Sequence, residues 1–178
     1  MRLIANSLPT MAAAVCACLM PLSAPSAQAL DKGCSLDRIA GTSRQILHCQ
    51  KGLTITVEAG ARFVLVDRDG DGNADAARLR RKALLIKAPA GKARTGFQVV
   101  TPQAIAAVRG TTWVVDVQKN TTSVFVVSGR VSVRRPTKGA RVLLGPGQGV
   151  DVDAGTGPLT VKRWPAKRAA ALLARVGQ

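Results

Sequence analysis

The residues of this chain that are best suited to chemistry lie in one short acidic run. Positions 67–75 read Asp-Arg-Asp-Gly-Asp-Gly-Asn-Ala-Asp, which follows the D-x-D-x-D-G opening of a calcium-binding loop. Carboxylate and amide oxygens are the hard ligands that Ca²⁺ selects. Calcium is therefore the one cofactor that the sequence suggests. The candidate ligands are Asp67, Asp69, Asp71, Asn73 and Asp75.

Two features separate this run from an EF-hand. Its twelfth position is Arg78, where an EF-hand carries a bidentate Glu. The preceding residues 63–66 are typical of a strand and not of a helix. Asp and Gly also suit a solvated hairpin turn, so a turn without metal stays open beside the calcium interpretation.

The remaining polar residues do not form a catalytic pattern. His48 is the only histidine and stands next to Cys49, but adjacent residues of an extended strand point to opposite faces, which disfavours a His-activated thiol. Asp151 and Asp153 share a face of a predicted strand, and an exposed strand face explains them better than an acid–base pair. We expect no catalytic residue and no enzymatic activity.

The first 29 residues have the features of a cleavable secretory signal. Arg2 precedes an apolar stretch at positions 11–20, and a proline-rich end closes on Ala27-Gln28-Ala29. Pro9 precedes the apolar stretch and Pro21 and Pro25 follow it, so the stretch is too short to span a membrane. We expect cleavage after Ala29, a periplasmic or secreted location and no transmembrane segment in the mature chain, with Cys18 as a weaker lipoprotein alternative.

Cleavage would remove two of the four cysteines and leave Cys34 and Cys49. In an oxidising compartment this pair predicts an intramolecular disulfide that closes residues 30–52 into an N-terminal segment. By the chain-entropy model such a bridge contributes about 3 kcal/mol.

From residue 53 onward, short β-branched runs alternate with Gly, Pro, Asn and Asp. This pattern predicts an all-β domain over 53–161 with about ten short strands, built as a sandwich, a barrel or a β-solenoid. The predicted strands are 53–57, 63–66, 83–86, 97–100, 112–117, 123–127, 130–133, 141–144, 149–152 and 159–161.

Residues 162–178 predict a short basic C-terminal helix. Its apolar stripe is expected to cap an exposed β edge, although docking to a membrane surface or a partner is the alternative. The stripe contains Ala169, Leu172, Leu173 and Val176, while Lys167, Arg168 and Arg175 are expected to face outward.

Charge points to an anionic partner. The chain has 26 Lys and Arg against 10 Asp and Glu, a net charge of +16, and the cations fall in three blocks at 78–94, 130–141 and 162–175. These blocks are either solvated faces or a surface for a polyanion. Nucleic acid is not expected, because a chain with no Tyr, two Trp and three Phe lacks aromatic residues for base stacking. The basic patch is expected at Arg78, Arg80, Arg81, Lys82, Arg134, Arg135, Lys162 and Arg163.

Residues 97–117 resemble the centre of the FecR domain, in which a strand is followed by Thr-Pro, a small apolar stretch and Val-Arg-Gly-Thr. Residues 123–133 and 142–150 resemble the ending of the same domain, so the resemblance covers roughly 83–153. It implies an all-β, solenoid-like or sandwich-like periplasmic module, with Arg109 satisfying a carboxylate or backbone carbonyls. The motif residues are Thr101, Pro102, Val108, Arg109, Gly110 and Thr111.

Longer proteins that resemble this family are envelope signal transducers with a cytoplasmic anti-sigma segment and a membrane span. Neither is apparent in this sequence, so direct control of a sigma factor is not expected. We expect a periplasmic FecR-domain binding module that is accessory to envelope signalling and contacts an envelope protein. The alternative is a protein that binds an anionic envelope polymer, such as lipopolysaccharide or cell-wall polysaccharide. The sequence does not indicate an oligomeric state.

Overall fold

A computed structural model describes residues 28–30, 33–90, 96–137 and 139–178, with the backbone alone described at 28–30 and 109. The expected signal peptide therefore falls almost entirely outside the described residues. Within them, the fold is all-β with one short C-terminal helix, as the sequence predicts. The elements are β1 (Gln28–Leu30), β2 (Cys34–Arg38), β3 (Gln45–Cys49), β4 (Thr54–Val57), β5 (Arg62–Val66), β6 (Ala76–Ala88), β7 (Gln98–Val100), β8 (Ile105–Gln118), β9 (Thr121–Arg134), β10 (Val142–Leu144), β11 (Gln148–Val152), β12 (Lys162–Arg163) and α1 (Ala166–Arg175).

The strands form one hydrogen-bonded sheet. Their order is β1-β2-β3-β4-β6-β7-β8-β9-β11-β12, with β5 added on β6 and β10 added on β9. Each of these pairs is antiparallel except β6 with β7, which run parallel, and the second half of β6 also pairs directly with β8. One large apolar cluster, with Trp113 and Ile55 among its fully buried members, forms the main core.

Two predicted strands, 123–127 and 130–133, are parts of the single strand β9. The sequence places a turn at Gly129, but the chain continues through it in the left-handed conformation, with φ of +83°. The register against β8 shifts at this point, between Arg109 and Trp113, so Gly129 belongs to a bulge. A Cβ atom at position 129 would lie 2.5 Å from the Gly110 carbonyl oxygen. This distance is a steric clash, so only glycine fits at this position.

Strand β6 changes the face that it turns to the core partway along its length. In the first part of the strand, the odd-numbered residues Ala77 and Leu79 lie in the main core. In the second part, the even-numbered residues Leu84 and Ile86 lie there instead. The change falls at Lys82, which has φ of +68°. A strict two-residue alternation therefore holds only on either side of this residue.

The N-terminal segment adds strands that the sequence analysis did not predict. The disulfide between Cys34 and Cys49 is present and joins directly opposite residues of β2 and β3. This hairpin extends the sheet by pairing β3 with β4. Leu47 is fully buried against the core, but one or two inward leucines among polar neighbours are too weak a signal to predict these strands.

Removing the disulfide with the double variant Cys34→Ala/Cys49→Ala is expected to lower the free energy of unfolding by about 3 kcal/mol, because the unfolded chain gains freedom. Urea denaturation followed by tryptophan fluorescence measures the change. A reductant should lower the midpoint of the unchanged protein and leave that of the double variant where it is. Equal midpoints for the two oxidised proteins would contradict the prediction.

The C-terminal helix forms as predicted but covers a sheet face instead of capping an edge. Leu172 and Val176 pack on Ala83, Leu85 and Phe125, which lie on the outward side of β6 and β9. This second apolar layer explains why residues 83–86 are apolar without alternation, since both faces of β6 are buried there.

The start of the helix also differs from the sequence prediction. Residues 162–163 pair with β11 as strand β12, whereas the expected strand at 159–161 does not form. Trp164 packs directly over Gly149 and donates its backbone N–H to the Gly147 carbonyl over 3.1 Å. This contact fixes the pairing beyond residue 161, and the helix begins only after Pro165.

Candidate functional site

The acidic run forms the loop between β5 and β6. One carboxylate oxygen from each of Asp67, Asp69 and Asp71 lies within 4.8 Å of the others. Hydrogen bonds from backbone N–H groups of the loop to its own aspartate side chains hold its shape. The Asp67 carboxylate accepts the N–H of Gly70 over 2.8 Å and that of Gly72 over 3.0 Å. Such turns are what Asp and Gly favour without any metal.

The five predicted ligands do not all converge. Asp75 accepts the Arg68 backbone N–H over 2.9 Å. The side-chain oxygen of Asn73 is buried without a hydrogen-bond partner and lies against Gly33. The structure therefore brings together Asp67, Asp69 and Asp71, while Asn73 and Asp75 serve the base of the loop.

A lysine already contributes positive charge to this loop. Lys51 Nζ lies 2.8 Å from Asp71 Oδ2. The hydrogen bond from Lys51, together with those from Asn73, lowers the pKa of Asp71 to about 2, and the same hydrogen bond raises the pKa of Lys51. A calcium ion bound to Asp71 would have to compete with this ammonium group. Calcium binding stays a prediction.

If the loop binds calcium, Lys51→Met is expected to tighten binding several-fold, because the competing ammonium is removed. Titration calorimetry should give a dissociation constant for the unchanged protein of about 0.1–1 mM, the range of extracellular calcium modules. Asp67→Asn, which removes a carboxylate from the loop, is the matched loss variant. Absence of binding heat in both the unchanged protein and Lys51→Met, at about 10 mM calcium, would contradict the site.

The predicted basic patch is divided in the structure. Arg78, Arg80 and Arg81 are exposed on β6, and Lys162 and Arg163 are exposed on β12. Lys82 Nζ lies 3.7 Å from Glu58 Oε1, so this cation is partly neutralised.

Arg135 differs from its expected place in the patch, since its side chain is only 12% exposed. It donates to the Asp153 carboxylate over 2.9 Å and to two backbone carbonyls. This residue holds the loop after β11 and is not an open binding group.

Sheet register brings arginines from two distant blocks onto one surface. Arg78 lies opposite Val64 on β5 and opposite Val100 on β7. Val100 lies opposite Ile105, which in turn lies opposite Arg134. We call this surface the outer face; it faces away from the main core and is formed by Val64, Arg78, Arg80, Val100, Ile105, Ala107, Ser132, Arg134 and Leu143.

The sequence analysis placed Arg78, Arg80 and Arg134 in one basic patch, but it did not predict the aliphatic side chains beside them, because it did not assign which side of strands 63–66 and 141–144 is exposed. Val64 is 65% exposed and Leu143 is 59% exposed. Their place within alternating strands was a signal that they point away from the core, but alternation alone does not say which of two faces is covered.

A groove of about 690 Å³ runs between α1 and the ends of β8, β9 and β11. Inside it, Asp151 accepts from Arg168 and from Ser123, each over 2.6 Å. Burial raises the pKa of Asp151, but these hydrogen bonds outweigh it and the net pKa is lowered. The hydrogen bond from Arg135 lowers the pKa of Asp153. Each aspartate is tied to its own arginine, as befits structural anchors and not an acid–base pair.

Arg175 corrects an expectation of the sequence analysis. It does not simply face outward but forms two bidentate pairs with buried carboxylates. Its guanidinium donates to Asp116 over 2.7 and 2.9 Å and to Glu58 over 2.7 and 3.1 Å. These bonds raise its pKa further and tie the helix to the sheet.

Comparison with protein families gives one decisive match. Residues 38–132, just over half of the chain, match the family described as FecR protein. The chain belongs to the FecR family. Comparison with curated proteins gives no significant match.

Two crystal structures share the fold of this FecR-family chain. Both are described as candidate anti-sigma factors from Parabacteroides distasonis ATCC 8503. One, at 2.50 Å resolution, has 20% identity and a TM-score of 0.58 over 73% of this chain and 60% of that protein. The other, at 1.65 Å, has 18% identity and a TM-score of 0.59 over 83% and 64%. This chain thus spans less than two thirds of either protein. Among the described residues, no helix is long and apolar enough to cross a membrane.

Three of the FecR motif side chains, those of Thr101, Val108 and Thr111, are buried within the sheet. The Thr101 hydroxyl is buried and lies 2.8 Å from the Thr122 hydroxyl, closing the turn before β8 that also contains Pro102. Val108 is in the main core, and Gly110, with φ of +60°, takes part in the bulge. Thr111 donates to the Arg130 carbonyl over 3.1 Å. The prediction for Arg109 concerns a side chain outside those described.

Proposed function

We propose that this FecR-family chain is an exported, non-enzymatic binding module that takes part in envelope signal transduction. The observation that carries the proposal is the FecR match over residues 38–132. The fold shared with candidate anti-sigma factors supports it. The FecR family is regulatory, and the tethered state of Asp151 and Asp153 supports a role other than acid–base catalysis.

The proposal predicts a specific protein partner in the periplasm. Photo-crosslinking of the tagged protein in living cells, followed by extraction at low and high salt and mass spectrometry, tests it. Recovery of one envelope signalling protein or outer-membrane receptor that resists high salt is the expected result. Recovery of the tagged protein in the cytoplasmic fraction alone would overturn the proposed location, and cross-links to no envelope protein would overturn the role.

A second candidate is the binding of an anionic envelope polymer, which the net charge of +16 favours. Binding of this kind weakens steeply as salt screens the charges. Dextran sulfate at rising salt concentration is a suitable probe. If lipopolysaccharide or polysaccharide is the only material recovered from cells, and salt releases it, this candidate replaces the first.

A further inference from the structure

The outer face combines exposed aliphatic side chains with arginines in a way that neither solubility nor folding requires. Val64 and Leu143 are two of the three exposed large hydrophobic side chains among the described residues, and Val127, at 39%, is the third. Val64 and Leu143 both point away from the main core, on β5 and β10 at the two ends of the outer face, whereas the opposite side of β5 packs Phe63 and Leu65 against the core. Exposed aliphatic groups collected on one surface are typical of an interaction site.

The sheet register fixes the spacing of this surface. Val64, Arg78, Val100, Ile105 and Arg134 lie opposite one another in a row across five strands. Neighbouring strands are about 4.8 Å apart, so Arg78 and Arg134 are separated by roughly 14 Å along the row. Two aliphatic side chains fill the interval between the two cations.

A second row lies beside the first. Gln98, Ala107, Ser132 and Leu143 are opposite one another on successive strands. The polar members of this row carry no charge. The surface therefore alternates aliphatic side chains with arginines: Val100 and Ile105 lie between Arg78 and Arg134, and the exposed Val64 and Leu143 lie at the two ends.

The charge on this surface is not neutralised within the described part of the chain. The arginines that form ion pairs among the described residues are Arg135, Arg168 and Arg175, away from the outer face. The strand segments that form the face, 62–66, 76–82, 98–100, 105–109, 130–134 and 142–144, contain no Asp or Glu. Arg134 donates one N–H to the Arg135 backbone carbonyl over 3.2 Å, which leaves its remaining N–H groups for carboxylates from another molecule.

We propose that the outer face binds an acidic segment of a protein partner that also carries aliphatic side chains. Carboxylates of the segment pair with Arg78, Arg80 and Arg134, and arginine is well suited to bidentate pairing of this kind. Aliphatic side chains of the segment cover Val64 and Leu143. This inference rests on the proposed function and adds the surface and the chemical class of the partner.

The exposed aliphatic side chains favour a protein over a polysaccharide. A charged polymer would use the arginines, but sulfate, phosphate and sugar groups gain nothing from Val64 or Leu143. An amphipathic protein segment uses both, because burying aliphatic surface stabilises the complex while the charges orient it.

Selection from a random library of twelve-residue peptides, displayed on phage and offered to the whole purified protein, tests the inference. Enriched peptides should contain Asp or Glu together with Leu, Ile or Val. The affinity of one enriched peptide, measured by fluorescence anisotropy, should fall about tenfold in Val64→Ser and about tenfold in Arg78→Ala. Val127→Ser makes the same change as Val64→Ser, and Lys167→Ala likewise removes one cation, both at exposed residues elsewhere; these two variants should bind as the unchanged protein does.

Other results overturn the inference. One is the absence of enrichment; another is enrichment of acidic peptides without aliphatic residues, whose binding is unchanged in Val64→Ser. A variant with a lowered melting temperature would be replaced by Leu143→Ser on the same face. Failure here, with a salt-resistant envelope partner still recovered from cells, would reject the outer face while leaving the proposed function intact.

Discussion

Replacing Arg175 with alanine is expected to lower the free energy of unfolding by about 3–5 kcal/mol, because it leaves two buried carboxylates without their cation. Glu58 and Asp116 have side chains only 10% and 7% exposed, and both lie 2.7 Å from the Arg175 guanidinium. Glu58 would keep the backbone N–H of Ala83 at 2.8 Å, and Asp116 would keep the Gln118 amide at 2.8 Å. Neither bond supplies a positive charge, and the ion pair that Glu58 keeps with Lys82, at 3.7 Å, is longer than its pair with Arg175.

Urea denaturation followed by tryptophan fluorescence measures this loss. Lys167→Ala, which removes a cation from an exposed site on the same helix, is the matched control and should change stability by less than about 0.5 kcal/mol. Because the carboxylates hold the pKa of Arg175 above its ordinary value, its charge is present on both sides of neutral pH. As the pH rises, deprotonation of Arg175 removes its contribution only beyond the range of ordinary experiments. Equal effects of the two substitutions would contradict the proposed helix anchor.

Replacing Trp164 with alanine is expected to cost about 3–5 kcal/mol, the range for a large aromatic side chain lost from a packed site. Its ring stacks on Phe125 with centroids 5.1 Å apart, lies over Gly149 and carries the Arg168 guanidinium 3.6 Å from its centre. Its removal leaves the start of α1 and strand β12 without their main contact with the sheet.

Limited proteolysis is the most direct measurement for Trp164→Ala, since a loosened helix exposes Lys and Arg to trypsin. The variant should lose residues after β11 at protease concentrations that leave the unchanged protein intact. Trp164→Phe keeps the stack on Phe125 and should show a smaller loss of stability. Cleavage at the same rate in all three proteins would show that the helix is held by other contacts.

Both substitutions test one property of the fold, the covering of a sheet face by the C-terminal helix. The sequence predicts this helix from its apolar stripe, and Leu172 and Val176 are buried as expected. It did not predict the helix's place, because a stripe of four apolar residues fits an edge, a face or a membrane equally well. Arg175 was expected outside for the same reason, since its two partners lie 117 and 59 residues away along the chain.

Local patterns were sufficient for the all-β class, the C-terminal helix, the disulfide and the FecR resemblance. Alternation with a period of two, turn-forming residues and the spacing of two cysteines each express a constraint between near neighbours. Such constraints are visible in the chain before it folds.

Only the tertiary structure decided which surfaces are open. The bulge at Gly129 and the left-handed conformation of Lys82 change the face that a strand presents. The pairing of β5 through β10 brings Arg78 and Arg134 into one row, and Lys51 reaches Asp71 across 20 positions of sequence. Each of these depends on long-range register, which is set by the packing of the whole sheet and not by the preferences of any single segment.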